Sequence, residues 1–206
     1  MHLYIIRHGE TNWNKEKRMQ GKCDVPLNEE GIRLAKETAN GMKDIHIDLC
    51  ISSPLKRAAT TAELVLEGRN VPIHFDERLE EIGFGDWEGE CIVNSTLIPP
   101  DFRTMFHEDP LHCIVPPNGE SFSDCLQRTK NLFDELCENV SYQDKSILIS
   151  SHGAASRCFL ANFLKKDTNL WRGCIPKNCA VTVAEIKNKK GYITELDHLF
   201  YDSSSQ

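Results

Sequence analysis

Leu3-Tyr4-Ile5-Ile6-Arg7-His8-Gly9-Glu10-Thr11 begins as an unbroken apolar run and stops on an arginine-histidine pair. The apolar part reads as a buried strand, and the pair is delivered where that strand ends. An imidazole is a nitrogen nucleophile at neutral pH, and a guanidinium is a fixed fork that takes two phosphate oxygens at once. Gly9 lets a ligand approach the backbone closely. A strand that ends on this pair suits chemistry on a phosphate, provided the rest of the chain supplies partners.

Outward from that stretch, strand and helix patterns alternate. Asn28 caps a helix predicted from about Glu29 to Met42, with Ile32, Ala35, Ala39 and Met42 on one face. Asp48 to Ser52 reads as the next strand. Ser53-Pro54 then reads as an N-cap followed by proline at the first helical position, in a helix that runs to about Glu67 and stops at Gly68. A short strand is expected from Val71 to Phe75, and a long helix from Ser121 or Ser123 to about Asn139. Ser146 to Ser150 reads as a central strand, followed by a helix from about Ala154 to Leu164. Ala180–Ile186 and Tyr192–Leu196 form a final hairpin, and Asp202 to Gln206 a frayed tail. This alternation implies a three-layer α/β/α sandwich with a mainly parallel central sheet, a single domain over residues 1–206. Between residues 91 and 119, Pro99, Pro100, Pro110, Pro116 and Pro117 interrupt the pattern, and this excursion is expected to cover the site.

Open sheets of this kind bind ligands beyond the carboxyl ends of their strands. The chemically distinctive residues fall there. Arg7 and His8 end the first strand, Arg57 lies in the first helical turn after the second, and His152-Gly153 follow the central strand. A fourth segment, from Leu79 to Gly89, is acidic and glycine-rich.

Four ordered motifs, Arg7-His8-Gly9-Glu10-Thr11, Ser52-Ser53-Pro54-Leu55-Lys56-Arg57-Ala58, the Leu79-x-Glu81 segment ending Trp87-Glu88-Gly89, and Ser151-His152-Gly153, resemble the histidine phosphatase superfamily over residues 2 to 196. Within it they are most similar to the phosphoglycerate-mutase-like branch of phosphatases. The resemblance implies the phosphoglycerate-mutase-like fold and a phosphomonoesterase in which His8 becomes phosphohistidine. Arg7, Arg57 and His152 would hold the phosphoryl oxygens, and Glu81 would be acid and base, with adjacent Glu80 as its rival. Asn14, Gln20, Gly21 and Gly153 would line the phosphate site. No metal and no cofactor is implied. The branch includes broad-specificity and alpha-ribazole-type phosphatases, so the expected partner is a small phosphorylated metabolite of unspecified kind. Phosphoglycerate mutase is the alternative activity, and a non-catalytic phosphate-binding protein a weaker one. The short segment after Gly-Asp-Trp-Glu-Gly favours the phosphatase. In the excursion, which also carries Phe102, Phe106, His107 and His112, Arg103 reads either as a grip for a carboxylate or second phosphate or as a surface charge.

Composition narrows the field further. The 206 residues are 40% hydrophobic and 27% charged, as in ordinary globular chains. The net charge of −7 argues against nonspecific nucleic-acid binding. No apolar run approaches the ~20 residues that span a bilayer. No signal-peptide pattern is evident at the N-terminus, and nine scattered cysteines without a C-x-x-C pair read as reduced thiols. A cytoplasmic protein is therefore expected, with a homodimer left open. His107, His112 and Cys113 fit no standard zinc spacing.

Overall fold

The computed structural model describes residues 1–164 and 175–202. In chain order its main elements are β1 (His2–Arg7), α1 (Asn12–Lys15), α2 (Glu29–Gly41), β2 (Leu49–Ser52), α3 (Lys56–Val65) and β3 (Ile73–Phe75). They continue with α4 (Phe102–Glu108), α5 (Phe122–Glu138), β4 (Ser146–Ser151), α6 (Gly153–Leu160), β5 (Val181–Lys187) and β6 (Lys190–His198). The strands form one sheet in the order β3-β2-β4-β1-β5-β6. The first four run parallel, and β5 and β6 are antiparallel. Asn188 and Lys189 both adopt positive φ in the two-residue turn between β5 and β6, the conformation that matches the twist of a tight hairpin.

Alternation along the strands divides the core in two. Leu3, Ile5, Ile51, Ile147 and Ile149 face one side and meet Leu132, Phe133 and Leu136 of α5 and Phe159 of α6. Ile6, Cys50, Leu148 and Val181 face the other, against Leu34 and Ala35 of α2 and Ala62 and Val65 of α3. The sheet is thus covered on both faces, as the sandwich requires. A third apolar cluster lies at one end, where Phe102 and Phe106 of α4 join Ile82, Phe84, Trp87 and Phe122.

Local differences from the sequence reading have physical causes. The buried face of α2 is Gly31, Leu34, Ala35 and Thr38, and Ile32 is exposed. A Cβ at Gly31 would lie 2.1 Å from the carbonyl oxygen of Glu10, so the backbone itself packs there and Ile32 turns outward. Asn28 caps α2 as expected, its side chain accepting from the Gly31 N–H. α3 starts later than the Ser53-Pro54 reading predicts. Its N-cap is Leu55, without a side-chain bond, and the Ser53 hydroxyl accepts from Leu55 N at 3.3 Å in the turn that precedes the helix. The helix after β4 starts at Gly153 and ends at Leu160, with a 3₁₀ turn over Ala161–Phe163. The eight described cysteines are free thiols. Cys174, and residues 203–206 of the predicted tail, lie outside the described residues.

Candidate active site

Register brings the site together. In the parallel sheet Arg7 pairs with Ser151 and Ser52 with Ser150, so β1, β4 and β2 end side by side. The chain leaves those ends through His8, His152 and Ser53. Both histidines are buried, with ring centroids 5.2 Å apart. Nδ1 of His8 lies 2.6 Å from the Gly9 carbonyl oxygen. A carbonyl oxygen only accepts, so Nδ1 carries the proton and the lone pair is left on Nε2. Burial, then the charges of Arg57 and Arg7, hold the His8 pKa well below its ordinary 6.5. His152 is depressed in the same way, by burial and then by Arg57. Burial, reinforced by the neighbouring arginines, thus keeps both rings neutral at physiological pH.

Arg57 is fixed before any ligand arrives. Its Nη2 donates to Gly21 O (2.6 Å), Nη1 to Cys23 O (2.7 Å) and Nε to His152 Nδ1 (3.1 Å). Acceptance at Nδ1 puts the His152 proton on Nε2, which donates to Ser53 Oγ at 2.8 Å. The same hydroxyl also accepts from Leu55 N at 3.3 Å, so it ties His152 to the turn before α3. Burial lowers the Arg57 pKa to about 10, still far above neutrality. Three of its five N–H groups are used, leaving two for a ligand.

The acidic segment meets the N-terminus of α6. Glu81 accepts through Oε1 from Ile82 N and Ala155 N, both at 2.9 Å, and through Oε2 from Ala154 N at 3.1 Å. Its neighbour Glu80 points away, into an ion pair with Lys22 at 3.2 Å. Arg128 on α5 fixes this division by donating to the carbonyls of Arg78 and Glu80, both at 2.8 Å. Arg7 donates through Nη1 to Pro176 O, while its buried Nε has no hydrogen-bond partner among the described residues. A Cβ on Gly153 would stand 3.6 Å from Glu81 Oε2 and 3.8 Å from Arg7 Nε, and 2.9 Å from Ile175 Cγ2. The missing side chain keeps open the corner where the carboxylate and this donor converge.

Asn14, Gln20 and Gly21 also line the cavity, held by residues to which the sequence reading gave no role. Thr11 is fully buried and caps α1: its hydroxyl accepts from Asn14 N and lies 3.0 Å from Gln20 Oε1. Glu10 accepts from the Asn28 side chain at 2.7 Å and steadies the start of α2. Gly9 is small for packing, not for ligand access, since a Cβ there would lie 2.6 Å from Gly31 O. Glu88 accepts from the N–H groups of Lys22, Cys23 and Phe84, at 2.8 to 3.0 Å, and shapes the loop that carries Gly21. Asn178 donates to His8 O at 2.9 Å. Thr61 accepts from Gly9 N at 2.9 Å and donates to Arg57 O at 2.6 Å, joining the turn after β1 to the first turn of α3. Spacing alone carried no signal for Asn178 or Thr61. Glu88 stood inside a quoted motif.

These side chains surround a cavity of about 350 Å³. Its inner end holds Arg7, His8, Arg57, Glu81 and Gly153. The excursion contributes Ile92, Val93, Phe102, Arg103, Phe106 and His107. His112 stands outside, exposed and paired with Asp109 at 2.8 Å.

Comparison with known proteins fits this geometry. The family model described as histidine phosphatase superfamily (branch 1) matches residues 3–198. An uncharacterized phosphatase, PhoE, of Bacillus subtilis (strain 168) is 36% identical over 166 residues, covering 81% of this chain and 79% of that protein. A probable phosphoglycerate mutase, GpmB, of Escherichia coli is 31% identical over 182 residues, covering 88% and 83%. Among solved structures, YhfR of Bacillus stearothermophilus superposes with a TM-score of 0.85 at 34% identity, covering 94% of this chain and 95% of that one. Among the described residues, no helix is long and apolar enough to cross a membrane.

Proposed function

The chain belongs to branch 1 of the histidine phosphatase superfamily, and from that premise we propose that it hydrolyses a small phosphorylated metabolite through a phosphohistidine on His8. The observation that carries this reading is the His8 Nδ1–H bond to Gly9 O, which leaves the Nε2 lone pair beside two cationic side chains.

The reaction takes two displacements. In the first, His8 Nε2 attacks phosphorus and the bond to the leaving oxygen breaks, while protonated Glu81 donates to that oxygen. Arg7 and the two spare N–H groups of Arg57 meet the equatorial oxygens, where charge accumulates in the transition state. His152 has both ring nitrogens engaged, by Arg57 and Ser53, and lies outside the cavity lining, so it holds Arg57 in place. In the second, ionised Glu81 takes a proton from water as the water oxygen attacks phosphorus. The P–N bond breaks, the electron pair returns to His8, and inorganic phosphate leaves. The amides of Asn14 and Gln20, oriented through Thr11, add donors on the cavity wall.

Similarity to GpmB favours a second reading, a mutase that passes the phosphoryl group to another substrate hydroxyl. One trapping experiment separates the two. The protein is mixed with a phosphate-labelled monoester and quenched. Acid-labile label on His8 with release of inorganic phosphate is the expected result. Label that moves to a second alcohol identifies a mutase. Absence of both label and phosphate release removes both enzymatic readings.

A further inference from the structure

The segment that carries Glu81 has no ladder of its own. Glu80 to Phe84 lies between the 3₁₀ turns Glu77–Leu79 and Gly85–Trp87, outside any helix or strand. Side chains from distant elements hold it instead. Ser151, at the end of β4, donates through its hydroxyl to Leu79 O at 2.8 Å. Arg128 on α5 takes the carbonyls on either side of that one, Arg78 O and Glu80 O, through Nη1. Its Nε and Nη2 reach the two carboxylate oxygens of Glu120, at 2.6 and 2.9 Å. Glu120 then closes the frame beyond Glu81. Its Oε2 accepts from Gly83 N at 3.2 Å, and its own N–H donates to Gly83 O at 2.8 Å. The Arg128 and Glu120 side chains are only 16% and 15% exposed, so the pair is shielded from the solvent that weakens surface ion pairs.

Glu81 is thus bracketed along the backbone, two carbonyls before it and one peptide group after it. Its carboxylate reaches Ala154 N and Ala155 N, which have no acceptor within α6. A proton donor must lie within hydrogen-bond reach of the atom it serves, and a misplacement of about 1 Å can cost about 100-fold in rate. Only a planar fork with donors on three nitrogens can grip a carboxylate and two carbonyls together, which an ammonium cannot do.

We propose that Arg128, anchored by Glu120, is a positioning residue for proton transfer, holding the backbone around Glu81 so that its carboxyl meets the leaving oxygen. Arg128 does not line the cavity. The proposal rests on the phosphatase reading for its effect on rate, and on the hydrogen bonds alone for the placement. In the step concerned, Nε2 of His8 bonds to phosphorus and the P–O bond breaks. The Glu81 carboxyl proton passes to the departing oxygen, and a carboxylate remains.

The test compares hexyl phosphate, whose leaving oxygen needs that proton, with 2,4-dinitrophenyl phosphate, whose phenolate departs without it. The ratio kcat/KM covers the steps up to departure of the alcohol, so the second displacement does not enter. In Arg128→Ala, kcat/KM for the hexyl ester falls by about 10- to 100-fold and that for the dinitrophenyl ester by less than about threefold. In a Glu81→Gln background the same substitution adds little, because the carboxyl it places is gone. Arg128→Lys keeps the charge but not the fork and shows the same selective loss, so the outcome does not depend on the alanine variant folding. Equal losses for both esters, no loss for either, or full additivity with Glu81→Gln overturns the proposal. Amide hydrogen exchange reads the placement without turnover. Ala154 and Ala155 N–H exchange faster in Arg128→Lys, while Ile147 to Ile149 keep their protection. Unchanged exchange at the two alanines, or faster exchange throughout the sheet, overturns the proposal. Should the parent protein hydrolyse neither ester, the phosphatase reading fails, and this exchange alone decides the placement.

Discussion

The inner and outer ends of one cavity are built by opposite rules. At the inner end each side chain is anchored before a ligand enters: His8 to Gly9, Arg57 to two carbonyls and His152, Glu81 to three backbone N–H groups. These residues lie close to strand ends or to the helix that leaves one, so the sheet sets their spacing. At the outer end the polar groups lie on a proline-interrupted segment and on the turn after α1, and Arg103 and Lys17 have no protein partner among the described residues. The difference teaches where each property resides. Transition-state stabilisation needs dipoles already in place, which a sheet end provides. Discrimination among leaving groups needs surface that can vary without disturbing the strands.

Substitutions sharpen that contrast. The largest effect is expected from His8→Ala. Turnover falls by about 10⁴-fold or more, because the covalent route disappears. Thermal unfolding stays close to that of the parent, since the ring adds to the strand end and not to either sheet core. A large drop in the unfolding temperature would contradict the assignment of His8 to chemistry alone.

Glu81→Gln comes next. It keeps the shape and one acceptor oxygen but cannot exchange protons, so kcat falls by about 10²- to 10⁴-fold. Glu80→Gln, which loses only the contact with Lys22, serves as the control. A comparable loss of kcat in the control would assign the proton transfer to the wrong glutamate.

The buried imidazoles also make stability depend on pH. The unfolded chain protonates them below about pH 6.5, whereas the folded protein keeps them neutral, so unfolding takes up protons. Stability is therefore full above that pH and declines as pH falls, by about 1.4 kcal/mol per pH unit for each histidine. Urea midpoints measured between about pH 7 and about pH 5.5 test this. Midpoints that rise on acidification would mean that the rings gain protons on folding.

The smallest effect belongs to the outer end. Phe106→Leu trims a largely buried ring of the wall, with an expected loss of about 1 kcal/mol of stability. KM for aryl esters rises while kcat holds. A fall in kcat matching that of Glu81→Gln would erase the distinction between the two ends.

Much of this was legible in the chain, for reasons that differ by residue. His8, Arg57 and His152 come just after apolar runs, and a parallel sheet gathers the residues beyond its strand ends at one edge. Glu81 was found through its motif, but its separation from Glu80 depends on Arg128, which is 47 positions away from Glu81. Gly9 and Gly31 show the limit from the other direction. Gly9 reads as a point of ligand approach and Gly31 carries no reading, yet the smallness of both lets the start of α2 pack on the backbone of Gly9 and Glu10. Thr11 and Thr61 act through hydroxyls that each join more than one partner, which no periodicity records. The order of the sheet, with β4 between β1 and β2, comes from tertiary pairing and leaves no trace in the local pattern.

The β1–β4 register has a consequence for the life of the chain. It joins His2 to Ser146 and Arg7 to Ser151, residues 144 positions apart. A nascent chain that has emerged through α5 already carries His8, Arg57 and Glu81, but lacks the strand that brings His152 beside them and the helix N-terminus that holds Glu81. Such long-range parallel pairing forms late and slowly compared with local contacts. In the proposed mechanism His8 therefore stays chemically silent during synthesis, and the site is complete only when the last third of the molecule has closed the sheet.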